Sequence, residues 1–348
     1  DGGWFQAVQV SLPPREGHCR LAVAGKEFAD VGTVAASASS AAHGELVSAG
    51  YGLVLASHGL DDFAAAGVQG KIVLVRRGTP FGPDPGPELG SLGALRGKIR
   101  AAAEEGAIGI ILGTHPDDHA AGFEPEITFA SVPGKMKIPV VTVGPSQFAD
   151  LENGPGAEVE MAAEVTRESA TTRNVLGWLP AGDNSGQAIL VGAHYDHLGR
   201  GGNGSLAPGS EEIHNGADDN ASGVAVVLAV AEALAGTETR ANRGVVFALW
   251  AAEEEGLLGS AHWARNPLPA GVRVVAGINL DMVGRPSEGR ITAGSLETAA
   301  AFGRTLAQAE HGKAIEITRS AGRLPGGGGS DHMSLHGIQI PCAFLFSG

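Results

Sequence analysis

Cysteine, basic residues and long apolar runs are all scarce in this sequence. Only two of the 348 residues are cysteines, Cys19 and Cys342, and their spacing fits no metal-binding pattern. The apolar runs are short and broken by glycine or charge, which argues against a membrane-spanning helix. Lys and Arg number 24 against 38 Asp and Glu, so the net charge of −14 argues against nucleic acid as a partner.

The first residues are neither an initiating methionine nor a signal peptide. We therefore expect a mature or trimmed product, in which the absent signal says little about the compartment. Cys342 lies in the apolar stretch IPCAFLF and is expected to be a small buried hydrophobe. Whether it pairs with Cys19 depends on a distance that sequence does not supply.

The chain has two regions that differ in their pattern of apolar and polar residues. Residues 41–166 contain short strand-like runs such as GKIVLVRRG, IGIILG and IPVVTVG, interrupted by one helical stretch, LGALRGKIRAAAEEGA. From about residue 171, apolar strands alternate with helices, as in QAILVGAH, RGVVFALW, VRVVAGINLD and IPCAFLF. Nearly continuous apolar strands indicate a sheet that helices cover on both faces. The predicted fold is therefore α/β, a central mixed sheet flanked by helices, with an inserted β-rich domain.

Polar side chains cluster where the predicted strands of the second region end. The clusters are His194 and Asp196 after the first strand, Asp218 and Asp219 before the first helix, Glu253, Glu254 and Glu255 after the next strand, and Asp281 after the third. In open α/β sheets, ligands bind at the carboxyl edge of the strands. Histidine and carboxylate side chains that converge on that edge are typical of a metal site.

Each of these residues has a simpler interpretation when taken alone. Asp218 is expected to be a solvated turn residue, and Asp281 alone could cap a turn. Histidines outside the clusters are interpreted as structural or surface residues, namely His197, His214, His262, His311 and His336. The joint occurrence is decisive, because carboxylates packed together without a cation would repel one another. A pair of divalent cations relieves that repulsion, and histidine with carboxylate but no thiolate favours zinc, with manganese or cobalt as alternatives.

Five motifs resemble those of a known family, the co-catalytic di-zinc exopeptidases of the bacterial aminopeptidase type, which are related to glutamate carboxypeptidases. The motifs are GAHYDHLG, NGADDNASGVA, WAAEEEGLLGS, INLDMVGR and SDHMSLHGIQIP, in the family's order. The stretches VQGKIVLVRRG and KIRAAAEEGAIGIIL resemble the protease-associated domain that is often inserted in this family. The resemblance implies a catalytic domain in two pieces, 1–40 and 167–348, with a protease-associated insert at 41–166.

The resemblance also implies roles for individual residues. His194 and Asp281 would bind the first zinc ion, Glu254 would bind the second, and Asp219 would bridge the two. Glu253 would be the general base that takes a proton from the attacking water.

Two further carboxylates have supporting roles in this resemblance. Asp196 would support His194 at the catalytic centre, and Asp331 of the SDH motif would lie near the base. The family's last zinc ligand is a histidine beyond the final strand, and this chain stops at FLFSG, before that place. Either the natural polypeptide continues or His332 substitutes for that histidine. We favour the first interpretation, with two zinc ions per complete protein.

The implied function is removal of N-terminal residues from peptides by a zinc metallopeptidase, an aminopeptidase. Three alternatives stay open: a carboxypeptidase-type relative, a glutaminyl cyclase and a non-catalytic receptor-like relative. His194 argues against the cyclase, which lacks the first-site histidine. The family implies export, and hence a secreted or periplasmic location. Sequence leaves open the preferred N-terminal residue, the oligomeric state and the role of the insert.

Overall fold

The computed structural model describes residues 4–55, 59–81, 91, 93–120, 127–182, 186–201, 205–207, 210, 212–238, 241–286, 289–310, 316–320 and 329–347. The chain divides into two compact units. The split unit consists of Asp1–Ser11 and Ser169–Gly348, and the inserted unit is Leu12–Glu168. Within the described ranges, every helix is too short or too polar to cross a membrane.

The strands, in chain order, are β1 (Phe5–Ser11), β2 (Arg15–Val23), β3 (Lys26–Glu27), β4 (Ser40–Ser48), β5 (Val54–Leu55), β6 (Leu60–Asp61), β7 (Ile72–Arg76), β8 (Gly109–Gly113), β9 (Val140–Val143), β10 (Glu158–Thr166), β11 (Ser169–Leu179), β12 (Gln187–His194), β13 (Gly244–Trp250), β14 (Arg273–Leu280), β15 (Arg290–Gly294), β16 (Glu316–Arg319) and β17 (Cys342–Phe346). The α-helices are α1 (Asp62–Ala66), α2 (Leu95–Glu104), α3 (Pro116–Ala120), α4 (Pro145–Glu152), α5 (Gly223–Ala235), α6 (Leu258–Arg265), α7 (Ala300–Glu310) and α8 (His332–Gly337). Short helical turns cover Phe129–Ser131, Ala217–Ser222 and Leu296–Thr298.

One mixed sheet runs through the split unit, with the strand order β1-β11-β13-β12-β14-β17-β15-β16. The pairs β13–β12, β12–β14 and β14–β17 are parallel. The pairs β1–β11, β11–β13 and β15–β17 are antiparallel. Strand β12 lies between two parallel partners and is buried almost throughout, as its continuous apolar run predicts. The predicted α/β fold with a central mixed sheet is confirmed.

Aromatic and aliphatic side chains fill the core beneath this sheet. Trp250 at the end of β13 and Trp263 of α6 are fully buried, with ring centroids 5.7 Å apart. Burying a large apolar side chain stabilises a fold by about 1.5–3 kcal/mol. Cys342 joins the same cluster as a buried free thiol, so it is the small buried hydrophobe that its sequence context predicts. Burial raises the pKa of this thiol to about 12.

A second mixed sheet forms the inserted unit, with the order β3-β2-β10-β4-β7-β8-β9. Strands β4, β7, β8 and β9 are parallel. Helix α2 packs Leu95 and Ile99 into a core that includes Val73 and Ile110. The sequence predicts one helix in this region, whereas the structure also contains α1, α3 and α4. These helices have only 5, 5 and 8 residues, which are too few for a helical period to stand out.

The predicted domain boundary at residue 40 differs from the division of the structure. Strand β1 pairs with β11 of the split unit, but β2 already pairs with β10 of the inserted unit. The sequence of β2, REGHCRLAV, includes glycine and glutamate, which are depleted in strands. Its partner comes from a distant part of the chain, so local patterning does not reveal which sheet it joins.

Candidate metal centre

Three neighbouring parallel strands carry the polar clusters at one edge of the split sheet. His194 is the last residue of β12 and pairs in register with Trp250, the last residue of β13. Asp281 follows β14 directly, and its Oδ1 lies 3.4 Å from Nε2 of His194. Glu253 and Glu254 lie three and four residues after the end of β13. The sheet therefore brings the predicted site residues together at its carboxyl edge.

A buried asparagine holds the turn that contains Asp219. The side-chain amide of Asn220 donates to the carbonyl of Leu280 at 2.9 Å, and its Oδ1 accepts the N–H of Gly223 at 3.0 Å. This connection ties the start of α5 to the end of β14. Asp219 is thereby held with its Oδ1 3.1 Å from Nε2 of His194.

Asp218 is not the solvated turn residue that the sequence predicts. Its carboxylate accepts the N–H of Gly284 at 2.7 Å and pairs with Nε of Arg285 at 2.7 Å, and only 13% of its side chain is exposed. Burial by itself would raise the pKa of Asp218, but these contacts lower it. The two adjacent aspartates thus do different work, since Asp218 braces the loop after β14 and Asp219 faces the histidines.

Two groups of potential metal ligands occur among the described residues. One consists of His194, Glu253 and Asp281, and the other of His197, Asp219 and Glu254. Within each group, the nitrogen and oxygen atoms that could bind a metal lie within 4.8 Å of one another. The four predicted metal ligands, His194, Asp219, Glu254 and Asp281, are all included in these groups.

The spacing of these atoms fits a small divalent cation. A tetrahedral ion with bonds of about 2.0–2.2 Å keeps its ligand atoms roughly 3.3–3.6 Å apart. The distances from Nε2 of His194 to Asp219 and Asp281 are 3.1 and 3.4 Å. Glu253 is farther from the same nitrogen, at 4.0 Å, which suits a group beside an ion better than a ligand of it.

The electrostatics of the site also call for a cation. Burial raises the pKa of Glu253 to about 8, with Asp331, Asp281 and Glu254 adding to the effect. Burial likewise raises the pKa of Glu254, helped by the charge of Asp219. Among the described residues, neither buried carboxylate oxygen of Asp331 has a close hydrogen-bond partner, although the nearby Ser260 hydroxyl partly offsets the rise of its pKa. A set of carboxylates that raise one another's pKa is what a bound cation stabilises.

His194 is the residue that compensates part of this negative charge. Burial alone would lower its pKa, but hydrogen bonds to Asp219 and Asp281 raise the pKa of His194 to about 12. A cation bound by the same atoms would take over the role of that imidazole proton.

Asp196 contacts different atoms from those that its expected role suggests. The nearest partner of Nδ1 of His194 is the main-chain oxygen of Asp196 at 3.1 Å, while the carboxylate oxygen is 3.8 Å away. The carboxylate instead accepts the backbone N–H groups of Glu253 at 3.0 Å and Glu254 at 3.3 Å. Asp196 therefore orients both glutamates through their backbone and orients His194 through its own carbonyl.

His197 is the residue that the sequence analysis missed. We interpreted it as structural or surface, yet its Nδ1 lies 2.8 Å from Oε1 of Glu254. The one available signal was its position in GAHYDH, three residues after His194 at the same strand end.

His332 belongs to neither group of potential ligands. Its ring stacks on Phe344 with centroids 4.4 Å apart, and burial lowers its pKa to about 4. The structure does not support it as a substitute ligand. Among the other histidines, His336 contacts the carbonyl of Cys342 at 3.2 Å, and His311 lies outside the described residues.

Comparison with known proteins decides the family. The profile of Peptidase family M28 matches residues 174–347, which is half of the chain, and the profile of the PA domain matches residues 42–151. The chain belongs to peptidase family M28. The predicted zinc exopeptidase family and its inserted protease-associated domain are thus confirmed, and the split unit carries the M28 match.

Several relatives and solved structures are similar to this M28 chain. A probable lipoprotein aminopeptidase of Mycobacterium tuberculosis is 30% identical over 233 residues, which are 66% of this chain and 40% of that protein. An aminopeptidase of Pseudomonas aeruginosa is 31% identical over 228 residues, covering 63% of this chain and 36% of that protein. This chain therefore spans about two fifths of the length of these relatives. The structure of a zinc aminopeptidase from Bacillus subtilis aligns with a TM-score of 0.48 and 24% identity, over 99% of this chain and 74% of that one.

Proposed function

We propose that this M28 chain hydrolyses the N-terminal peptide bond of peptides, with two zinc ions and with Glu253 as the general base. The observation that carries the proposal is the pair of ligand groups that meet at Asp219. Two divalent cations held there would supply Lewis-acid chemistry to a substrate carbonyl and to a water molecule. His194, Asp219 and Asp281 would hold the first ion, and Asp219 and Glu254 the second.

Glu253 is positioned for proton transfer. It lines a cavity of about 250 Å³ together with His194, Asp281 and Phe344. Its backbone is fixed by the carboxylate of Asp196, so the side chain does not depend on a metal bond for its position. In this proposal, Glu253 takes the proton of the attacking water and delivers it to the leaving amine. The surroundings of Glu253 raise its pKa, and a nearby cation would lower that pKa towards neutral pH. A carboxyl group with a pKa in that range can both accept and release a proton.

The charge of the cavity favours an aminopeptidase over a carboxypeptidase-type relative. Asp219, Glu253, Glu254 and Asp281 line it, and the described lining residues include neither lysine nor arginine. A C-terminal carboxylate would need a cationic side chain to pair with, and none lines the described part of the cavity.

Apolar side chains complete the cavity wall. Met282, Phe344 and Phe346 also line it. A substrate whose first residue is apolar would bury its side chain there, at about 25 cal/mol per Å² of apolar surface removed from water. We therefore propose a preference for apolar N-terminal residues over charged ones.

Zinc content and substrate choice together test this function. Metal analysis of the purified chain is expected to give two zinc ions. Leucyl-p-nitroanilide should be hydrolysed, while its N-acetylated form should not. A carboxypeptidase substrate with a blocked N-terminus and a free C-terminal carboxylate should not be hydrolysed either. Cyclisation of a glutaminyl peptide would indicate the cyclase instead. A chain that binds zinc but turns over none of these substrates would support the receptor-like alternative and contradict the proposal.

We also propose that the protein acts outside the cytoplasm. The description of the Mycobacterium tuberculosis relative as a lipoprotein supports an exported location. Cell fractionation of the producing organism tests this, and activity confined to the cytoplasmic fraction would contradict it.

A further inference from the structure

The two carboxylate oxygens of Asp219 face two different imidazoles. Its Oδ1 lies 3.1 Å from Nε2 of His194, and its Oδ2 lies 3.8 Å from Nδ1 of His197. A carboxylate that bridges two ions presents one oxygen to each of them. The residue on the far side of the bridge is therefore a candidate for the second ion, just as His194 is for the first.

We propose that His197 is a ligand of the second cation, together with Asp219 and Glu254. Each ion would then have at least one imidazole from this chain, with the bridging aspartate between them. The inference rests on the two-ion function proposed above and adds to it a ligand that the family motifs do not assign.

Distances around His197 fit this role. Its Nδ1 is 2.8 Å from Oε1 of Glu254 and 3.8 Å from Oδ2 of Asp219. These values bracket the separation of roughly 3.3–3.6 Å that a tetrahedral ion imposes on its ligands. The shorter contact has the length of a hydrogen bond, which a neutral imidazole makes when its proton is on Nδ1. Exchanging that proton for a cation needs a shift of only a few tenths of an ångström.

The imidazole is also held in place by the turn that carries Asp219. Gly216 has a φ of +64°, in the left-handed region that favours glycine. A Cβ atom at this position would lie 2.9 Å from Cβ of His197 and 3.0 Å from its Cγ. The turn thus packs directly against the histidine, and only glycine permits that approach. One short segment therefore positions both Asp219 and His197, as a shared site requires.

A neighbouring histidine, His214, serves as a control for His197. The ring of His214 lies 6.4 Å from that of His197, but its Nε2 contacts the hydroxyl of Ser205 at 2.7 Å. His214 belongs to neither group of potential ligands. It is thus a matched control, since it is a nearby and partly buried histidine with no carboxylate of the site within reach.

Zinc titration of the metal-free full chain and its His197→Ala and His214→Ala variants tests the proposal. We expect the wild-type chain to bind two ions. His197→Ala should bind the first with unchanged affinity and the second at least about a hundredfold more weakly, because even removing a residue that merely supports a ligand costs 10–100-fold. Added free imidazole should restore part of the second affinity. His214→Ala should behave like the wild type.

X-ray absorption of the two-zinc chain separates a ligand from a residue that only orients Glu254. At saturating zinc, we expect the mean number of imidazoles per zinc ion to fall in His197→Ala and to keep its wild-type value in His214→Ala. An imidazole count in His197→Ala equal to that of the wild type would overturn the assignment, as would unchanged binding of the second ion by this variant. A wild-type chain that binds a single ion would instead contradict the two-ion function itself, and the assignment with it.

Discussion

The two units of this chain contain buried charges of opposite character. In the inserted unit, Arg76 and Asp118 form a bidentate pair with distances of 2.6 and 2.8 Å. Lys98, only 1% exposed, donates to the main-chain oxygen of Arg76 at 3.0 Å. In the split unit, His194 faces several carboxylates at once, and the carboxylate of the fully buried Asp331 has no close hydrogen-bond partner in the part of the chain that the structure describes.

The contrast teaches how to distinguish structural charge from functional charge. A buried charge is tolerated when a partner compensates it, as in the inserted unit. A surplus of carboxylates is costly unless something outside the protein supplies the positive charge. The split unit is therefore the one that calls for cations, although both units have parallel strands that end in polar loops.

The largest expected effect concerns the base. Glu253→Gln keeps the shape of the side chain but removes its basicity, so kcat should fall by about 10²–10⁴-fold. Zinc content should stay the same, because Glu253 is not expected to be a ligand. The exposed neighbour Glu255 supplies the control, and Glu255→Gln should leave kcat within a factor of about two of the wild type. Loss of zinc from Glu253→Gln would reverse the roles that we assign to the two adjacent glutamates.

Next in size is the effect on metal affinity. Glu254→Gln removes one charged ligand from the second group, so affinity for the second ion should fall at least about a hundredfold. Affinity for the first ion should change little, since Glu254 lies in the other group. Chelator competition with Glu253→Gln as the control measures both affinities. Equal loss of both ions would show that the two groups form a single site.

Surplus charge in the split unit predicts an unusual pH dependence for the metal-free chain. Burial raises the pKa of Asp331 from 3.8 to about 7. Between these values the folded chain holds a proton that the unfolded chain has lost. The contribution of Asp331 to the free energy of unfolding therefore falls as the pH rises from 3.8 to about 7, by at most about 1.4 kcal/mol per pH unit.

Asp331→Asn should remove that slope. The variant's gain in unfolding free energy over the wild type should be near zero around pH 4 and grow towards pH 7. All four tryptophans lie in the split unit, so tryptophan fluorescence during urea unfolding reports on this unit. A metal-free variant that is less stable than the wild type at pH 7 would show that Asp331 is compensated after all.

Compensated charge in the inserted unit should respond in the opposite way. Asp118→Asn leaves Arg76 without its carboxylate partner, which should lower stability by about 1–3 kcal/mol. This lies below the full cost of breaking a buried pair, because the two side chains are 19% and 17% exposed. Far-UV circular dichroism follows the loss, and zinc content should not change. If Asp118→Asn is as stable as the wild type, Arg76 does not depend on this carboxylate, and the proposed difference between the two units is wrong.

Local sequence determined much of this protein. The strand QAILVGAH matches β12 residue for residue, and the polar residues after β12, β13 and β14 were predicted to meet. Both predictions depend on short-range patterns, namely continuous apolar runs and the shared edge of parallel strands. The order of the motifs sufficed to predict the family.

Only the tertiary structure decided which neighbour each polar side chain contacts. Asp218 pairs with Arg285, Asp196 holds the glutamates, and His197 reaches Glu254. These contacts join segments from different strands and loops, so they depend on sheet register and on the direction of each side chain as it leaves the sheet. The same reason explains the boundary at Leu12, since a strand's pattern specifies its conformation and tertiary pairing specifies its partner.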